Sequence, residues 1–297
     1  MKKFLLKSVL YLFGWIMSGF FLMMYLGVFK KQEKLNFVSN SISFNSKASF
    51  IYKNKLKLKN ADYVIIGSSM SLNNIDGEYL EKISNKRVIN LSSWGMKIHD
   101  FKGFLTRIHS NSTIIVNISF TDFGKTWIEK YSHFPFGDQN EYSNKLSNLS
   151  TFRQQVDQVG KYTNDSASRD YTSLNFDNTG SVLLSKRNFH ISPKRWEGVY
   201  DAPSILELEN FVDQLAFLEK YKVYLFFSPE RGKYKTTNKY NSLSRLEAEL
   251  KCRYRNVLFF NNYNQNYSDS MFVDCYHFND EGAKKYSELI HEQINSF

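Results

Sequence analysis

The chain runs to 297 residues, 42% hydrophobic and 23% charged, a balance that excludes disorder and leaves room for one large domain or two small ones. Its net charge is +10, but the lysines are scattered and no helix carries a basic face interleaved with stacking aromatics, which sets nucleic acid aside. The charge suits an acidic surface, such as anionic lipid or anionic glycan. Cys252 and Cys275 are the only cysteines and lack metal-ligand spacing, so neither a disulfide framework nor a cysteine metal site is expected, and a single bridge between the two is left open.

In chain order, residues 8–29 come first, 22 positions without a charge between Lys7 and Lys30. As a helix the run spans about 33 Å, enough for a hydrocarbon core of about 30 Å. It exceeds a signal-peptide core and no small-x-small cleavage site follows, so residues 1–30 are expected to be an uncleaved transmembrane signal anchor. Lysines flank the run on both sides, and charge leaves its orientation open. Residues 31–60 are polar, lysine-rich and irregular, and read as a juxtamembrane connector with room for a short helix.

Residues 61–297 then alternate. Apolar strands are expected at 62–66, 87–91, 113–119, 222–227 and 256–260, with helices at 77–84, 99–109 and 205–221. Short apolar strands between amphipathic helices imply a parallel sheet covered on both faces. Right-handed crossovers then predict a flavodoxin-like three-layer α/β/α domain with five parallel strands and its site at their carboxyl ends. Residues 123–204 break the alternation: they are rich in Tyr, Asn, Ser and Asp and have no long apolar period. An insertion of this length reads as a substrate-facing cap or a surface excursion.

Two motifs carry chemistry. In Val64-Ile65-Ile66-Gly67-Ser68-Ser69 an apolar strand ends in a small-residue turn that delivers a serine. In Asp274-Cys275-Tyr276-His277 a carboxylate stands three residues before an imidazole. Asp274 there can accept from one ring nitrogen of His277, leaving the other to take a proton from the Ser69 hydroxyl. Cys275, between the two, suits a small buried side chain. A conventional α/β-hydrolase elbow fits less well, because Ser71 stands where its last glycine should be. His99, His109, His133, His190 and His291 show neither pairing nor metal spacing.

These blocks resemble the SGNH (GDSL-type) hydrolase superfamily over roughly residues 60–122 and 220–297. Gly67-Ser68-Ser69 takes the place of its Gly-Asp-Ser block, with Ser68 where the Asp stands. Gly95 fits the isolated glycine after the second strand, and Asp274-x-x-His277 with Gly282 fits the C-terminal block. Counting from the third strand, the family's oxyanion Asn falls on Thr121, with Asn117 the alternative in another register. The resemblance implies a Ser69–His277–Asp274 triad, with the N–H groups of Ser69 and Gly95 and the Thr121 hydroxyl facing the oxyanion. No cofactor or metal is implied.

The single N-terminal helix, the Gly-Ser-Ser variant and the mid-chain insertion look more like the envelope branch, the DltD-like and alginate-acetylation proteins. That likeness implies a serine esterase or O-acyltransferase acting on a cell-envelope polysaccharide. It would sit in the cytoplasmic membrane as a single-pass protein, its body periplasmic or extracellular, beside a multi-span membrane acyltransferase. The rival readings are a non-catalytic assembly or glycan-binding factor and a lipase or thioesterase at the membrane surface.

Overall fold

The computed structural model describes residues 2–25, 42–124, 176–184 and 201–297; along the first helix, side chains are described at 7–9, 11–19 and 21–22. The chain divides into two compact units, Met1–Leu35 and Asn36–Phe297. The first holds a 24-residue helix, α1 (Lys2–Tyr25), on which Tyr11, Leu12, Phe13, Trp15 and Ile16 are exposed. Among the described residues no helix is long and apolar enough to cross a membrane. The uncharged run expected to span one continues through residues 26–29, outside the described residues.

The second unit is built on five strands, β1 (Tyr63–Ile66), β2 (Val88–Asn90), β3 (Thr113–Ile118), β4 (Lys222–Phe227) and β5 (Val257–Asn261). All pair in parallel in the order β2-β1-β3-β4-β5, as the alternation of apolar runs and helices predicts. Successive residues face opposite sides of a strand, and here both sides are apolar. Val64, Ile66, Val116, Ile118 and Leu225 pack into one core. Ile65, Ile115, Tyr224 and Phe226 pack into the other.

The first core is closed by α2 (Ile42–Lys53), α6 (Lys102–Leu105), α7 (Ile205–Asp213) and α8 (Thr237–Arg253), and the second by α5 (Gly77–Ser84) and α9 (Asp280–Asn295). Three layers result. The chain leaves β1 for β2 on one side and returns to β3 on the other, so the strand order reverses at β1 and β3. A crevice opens at the carboxyl ends of strands at such a point.

Three expectations are corrected. Residues 42–59 are no loose connector: α2 and α3 (Lys55–Lys59) fold onto the domain and bury Phe44, Lys47, Ala48, Ile51 and Leu58. Their apolar positions, 44, 48 and 51, fall on one helical stripe, but a narrow one diluted by Ser, Asn and Lys. The helix expected at 99–109 is a 3₁₀ turn, Ile98–Phe101, running into the four-residue α6; Gly103 and Thr106 are poor helix formers. The helix expected at 205–221 stops at Asp213, followed by a 3₁₀ turn, Ala216–Leu218, that redirects the chain into β4.

Of the insertion, the ends 123–124 and 201–204 are described, as is one inner stretch, residues 176–184. The inner stretch lies along the β2 edge: the Asn90 N–H donates to the Thr179 carbonyl (2.7 Å) and the Val182 N–H to the Leu72 carbonyl (3.0 Å). Asp177 Oδ1 gathers the N–H groups of Thr179, Gly180 and Ser181 and the Thr179 hydroxyl, which shapes the turn. The expected cap otherwise falls outside the described residues.

Candidate active site

β1 ends at Ile66, and Gly67 turns the chain at φ +146°. A Cβ at Gly67 would run into the Ser71 hydroxyl and lie 2.9 Å from the Asn117 carbonyl oxygen, so the turn admits only glycine. The Ser71 hydroxyl fills that space, donating toward the carbonyls of Ile66 (2.9 Å) and Asn117 (2.7 Å) and accepting from the Asn117 N–H (3.1 Å). Ser68 caps α4 (Ser69–Asn74) by accepting from the Met70 N–H. Ser69 therefore stands at the first position of α4, at the carboxyl edge of the sheet.

His277 comes from a loop pinned on both sides. The Val273 N–H donates to the His277 carbonyl (2.9 Å), and Phe272 and Phe278 form an antiparallel bridge. Asp274 Oδ1 accepts from the N–H groups of Tyr276 (2.8 Å) and His277 (2.7 Å). Its Oδ2 lies 2.7 Å from His277 Nδ1, and His277 Nε2 lies 2.9 Å from Ser69 Oγ. With Asp274 ionised, Nδ1 carries the hydrogen and Nε2 accepts from the Ser69 hydroxyl. The structure thus brings together the three residues that the sequence motifs single out.

The side chains of His277 and Asp274 are 8% and 4% exposed. Burial pushes the Asp274 carboxyl up, but His277 and the two N–H donors outweigh it and hold it below the usual carboxylate range. An ionised Asp274 is what orients the imidazole. The Cys275 thiol is kept protonated: burial and the Asp274 charge push it up to about 12. It packs with Met70, Tyr276 and Tyr234 in a small apolar cluster beside Ser69.

Among the described residues, the backbone N–H groups of Ser69 and Gly95 have no hydrogen-bond partner. Gly95 adopts φ +66°, in the left-handed region. Thr121 lies in the 3₁₀ turn Phe120–Asp122, directly after β3, and its hydroxyl pairs with the Ser119 hydroxyl at 2.8 Å. The alternative, Asn117, is fully buried and bonded within the fold. Its amide donates to the Met70 carbonyl (3.1 Å) and its oxygen accepts from Ser228 (2.9 Å) and Tyr286 (3.0 Å), so it ties β3 to α4, β4 and α9.

Asp122 sits close by. Burial pushes its carboxyl up, while Lys97, the Ser119 N–H and the Ser68 and Ser119 hydroxyls pull it down. The Lys97 ammonium, donating to the Thr121 (3.1 Å) and Asp122 (2.9 Å) carbonyls, pins this turn. Two depressions, of about 420 and 350 Å³, lie at the amino ends of the strands and beside α8. Neither is lined by Ser69.

Two site residues escape a reading of motifs. Asn74, fully buried, donates to the Tyr276 carbonyl (2.9 Å) and accepts from the Phe278 N–H (2.9 Å), clamping the His277 loop to the helix that carries Ser69. Trp94 lays its indole parallel to the His277 ring, 9° between planes and 6.2 Å between centroids, with Nε1 donating to Asn73 (3.2 Å). One Asn of a pair in a short polar helix and a Trp beside the loop glycine give no periodic signal. Among the described residues no cluster of His, Cys, Asp and Glu suits a metal ion.

No protein-family profile matches the chain, and no curated protein matches it. Among solved structures it is similar to a protein described as a lipolytic member of the G-D-S-L family from Desulfitobacterium hafniense DCB-2. The two are 12% identical, with a TM-score of 0.37 over 78% of this chain and 99% of that one. The likeness is loose, and the chemistry is carried by this chain's own geometry.

Proposed function

We propose that the protein is a serine esterase or O-acyltransferase, held at a membrane, that acts on acyl esters of a cell-envelope polysaccharide. One observation carries the enzyme reading: Ser69 Oγ, His277 Nε2 and Asp274 Oδ2 form a hydrogen-bonded line with links of 2.9 Å and, through Nδ1, 2.7 Å. A turn that admits only glycine and a clamped loop hold the three in place, the arrangement nucleophilic catalysis needs.

In this reading Ser69 Oγ attacks the acyl carbonyl carbon as its proton passes to His277 Nε2. The tetrahedral oxyanion is met by the N–H groups of Ser69 and Gly95, and Asp274 stabilises the imidazolium. Collapse breaks the ester C–O bond, and His277 returns the proton to the leaving alcohol. Water or a sugar hydroxyl then attacks the acyl carbon as His277 takes its proton, and His277 passes that proton to Ser69 Oγ as the acyl–Oγ bond breaks. Thr121 would contribute a third donor when Ser119 is the donor of their hydroxyl pair, which leaves the Thr121 hydrogen available. The polysaccharide substrate and the membrane acyltransferase partner follow from the envelope-branch resemblance. Anchoring is supported by the uncharged run 8–29 and the exposed apolar side chains of α1.

A fluorophosphonate probe tests the chemistry. The expected result is a covalent adduct on Ser69 and hydrolysis of small acetyl esters, both lost in Ser69→Ala. No adduct on the folded protein, with full function of Ser69→Ala in cells, would sink the enzyme reading in favour of a non-catalytic binding factor. Faster turnover of long-chain esters than of acetyl esters would favour a lipase.

A further inference from the structure

We propose that α2 is a positioning element of the active site, acting through Ser43 on the loop that carries Trp94 and Gly95; this rests on the serine-hydrolase reading above. After β2 ends at Asn90, the chain crosses the carboxyl edge of the sheet to reach Gly95, and it is held there from four directions. The Ser93 N–H donates to the Gly67 carbonyl (3.3 Å), and Trp94 Nε1 donates to Asn73. The other two holds come from α2. Lys47 Nζ donates to the Asn90 carbonyl (2.9 Å) and to the Gly180 carbonyl. Ser43 Oγ lies 2.8 Å from Ser93 Oγ and accepts from the Trp94 N–H at 3.2 Å.

That last bond matters most. The Ser93–Trp94 peptide leads directly into the residue whose ring lies parallel to that of His277 and then into Gly95, whose N–H is a proposed oxyanion donor. Rotation of this one peptide moves both. Ser43 touches no reacting atom, so it is a positioning residue. Its polar contacts are also separate from the packing of α2, which Phe44, Ala48 and Ile51 supply. Removing the hydroxyl therefore loosens the loop without undocking the helix.

The test compares full-length wild type, Ser43→Ala and Ser43→Thr on a small acetyl ester and with a fluorophosphonate. Ser43→Ala is expected to lower kcat and the labelling rate about tenfold, the rate equivalent of one lost positioned hydrogen bond. KM should stay within about twofold and the melting temperature within about 3 °C, and Ser43→Thr should restore much of the rate. Unchanged kcat and labelling in Ser43→Ala overturn the proposal, as does a rise in KM alone. A drop in melting temperature that accounts for the lost rate, with no recovery in Ser43→Thr, overturns it as well. A wild type that neither turns over ester nor takes the label refutes the enzyme reading itself, an outcome distinct from these.

Discussion

Asp274 spends both oxygens on the His277 loop, one on two backbone N–H groups and one on the imidazole, and this gives it a pH signature. Because its folded pKa is depressed, its contribution to stability is present above the unfolded value, about 3.9, and is lost as pH falls through the lower folded value. Asp274→Asn is therefore expected to destabilise the protein at pH 7 and to differ less from wild type near pH 2, as read by urea melts at the two pH values. Its kcat should fall about 10³–10⁴-fold, since the imidazole loses its tautomer. The neighbouring thiol behaves oppositely. With Cys275 pushed up to about 12 and buried, iodoacetamide at pH 8.5 should modify exposed Cys252 and spare Cys275 until the chain unfolds. At this scale Ser69, His277 and Asp274 were legible because a strand-turn-serine and an Asp-x-x-His each leave a local mark. Asn74 was not, because a buried amide that bonds a loop two hundred residues away looks in sequence like any polar helical residue.

Among the elements, the turn after β1 and the helix α2 decide how well the site is held. Gly67→Ala forces a side chain into space filled by the Ser71 hydroxyl and the Asn117 carbonyl, at a φ that L residues rarely adopt. A loss of roughly 2 kcal/mol or more is expected in chemical denaturation, with a steep fall in activity because the displaced Ser71 network supports α4. Asn74→Ala should cost about 2–4 kcal/mol, two buried backbone groups being left without a partner, and should lower kcat by loosening the His277 loop against Ser69. The strands were legible because β-branched and aromatic runs mark buried parallel strands. α2 was not: Lys47, fully buried among Phe50, Phe176 and two carbonyls, occupies the position on its face where an apolar residue would have revealed it.

For the whole molecule, the boundary at Leu35 and the docking of α2 make Ile42–Lys53 part of the folded body. A chain of residues 36–297 should melt cooperatively and stay in the supernatant after membrane pelleting. A chain of residues 61–297 should lose on the order of 5 kcal/mol, since the burial of Phe44, Ala48 and Ile51 disappears with α2, and should aggregate or fail to label on Ser69. The sheet order has a further consequence, in time rather than in space. β1 pairs with β2 and β3, its near neighbours in sequence, but β4 joins β3 only after the long insertion. The bond between Ser69 and His277 closes over 208 residues. Non-local closures of this kind carry the largest loop-entropy cost, so Ser69, set on its turn by local pairing, is expected to gain its base only once the last strands and α9 have docked.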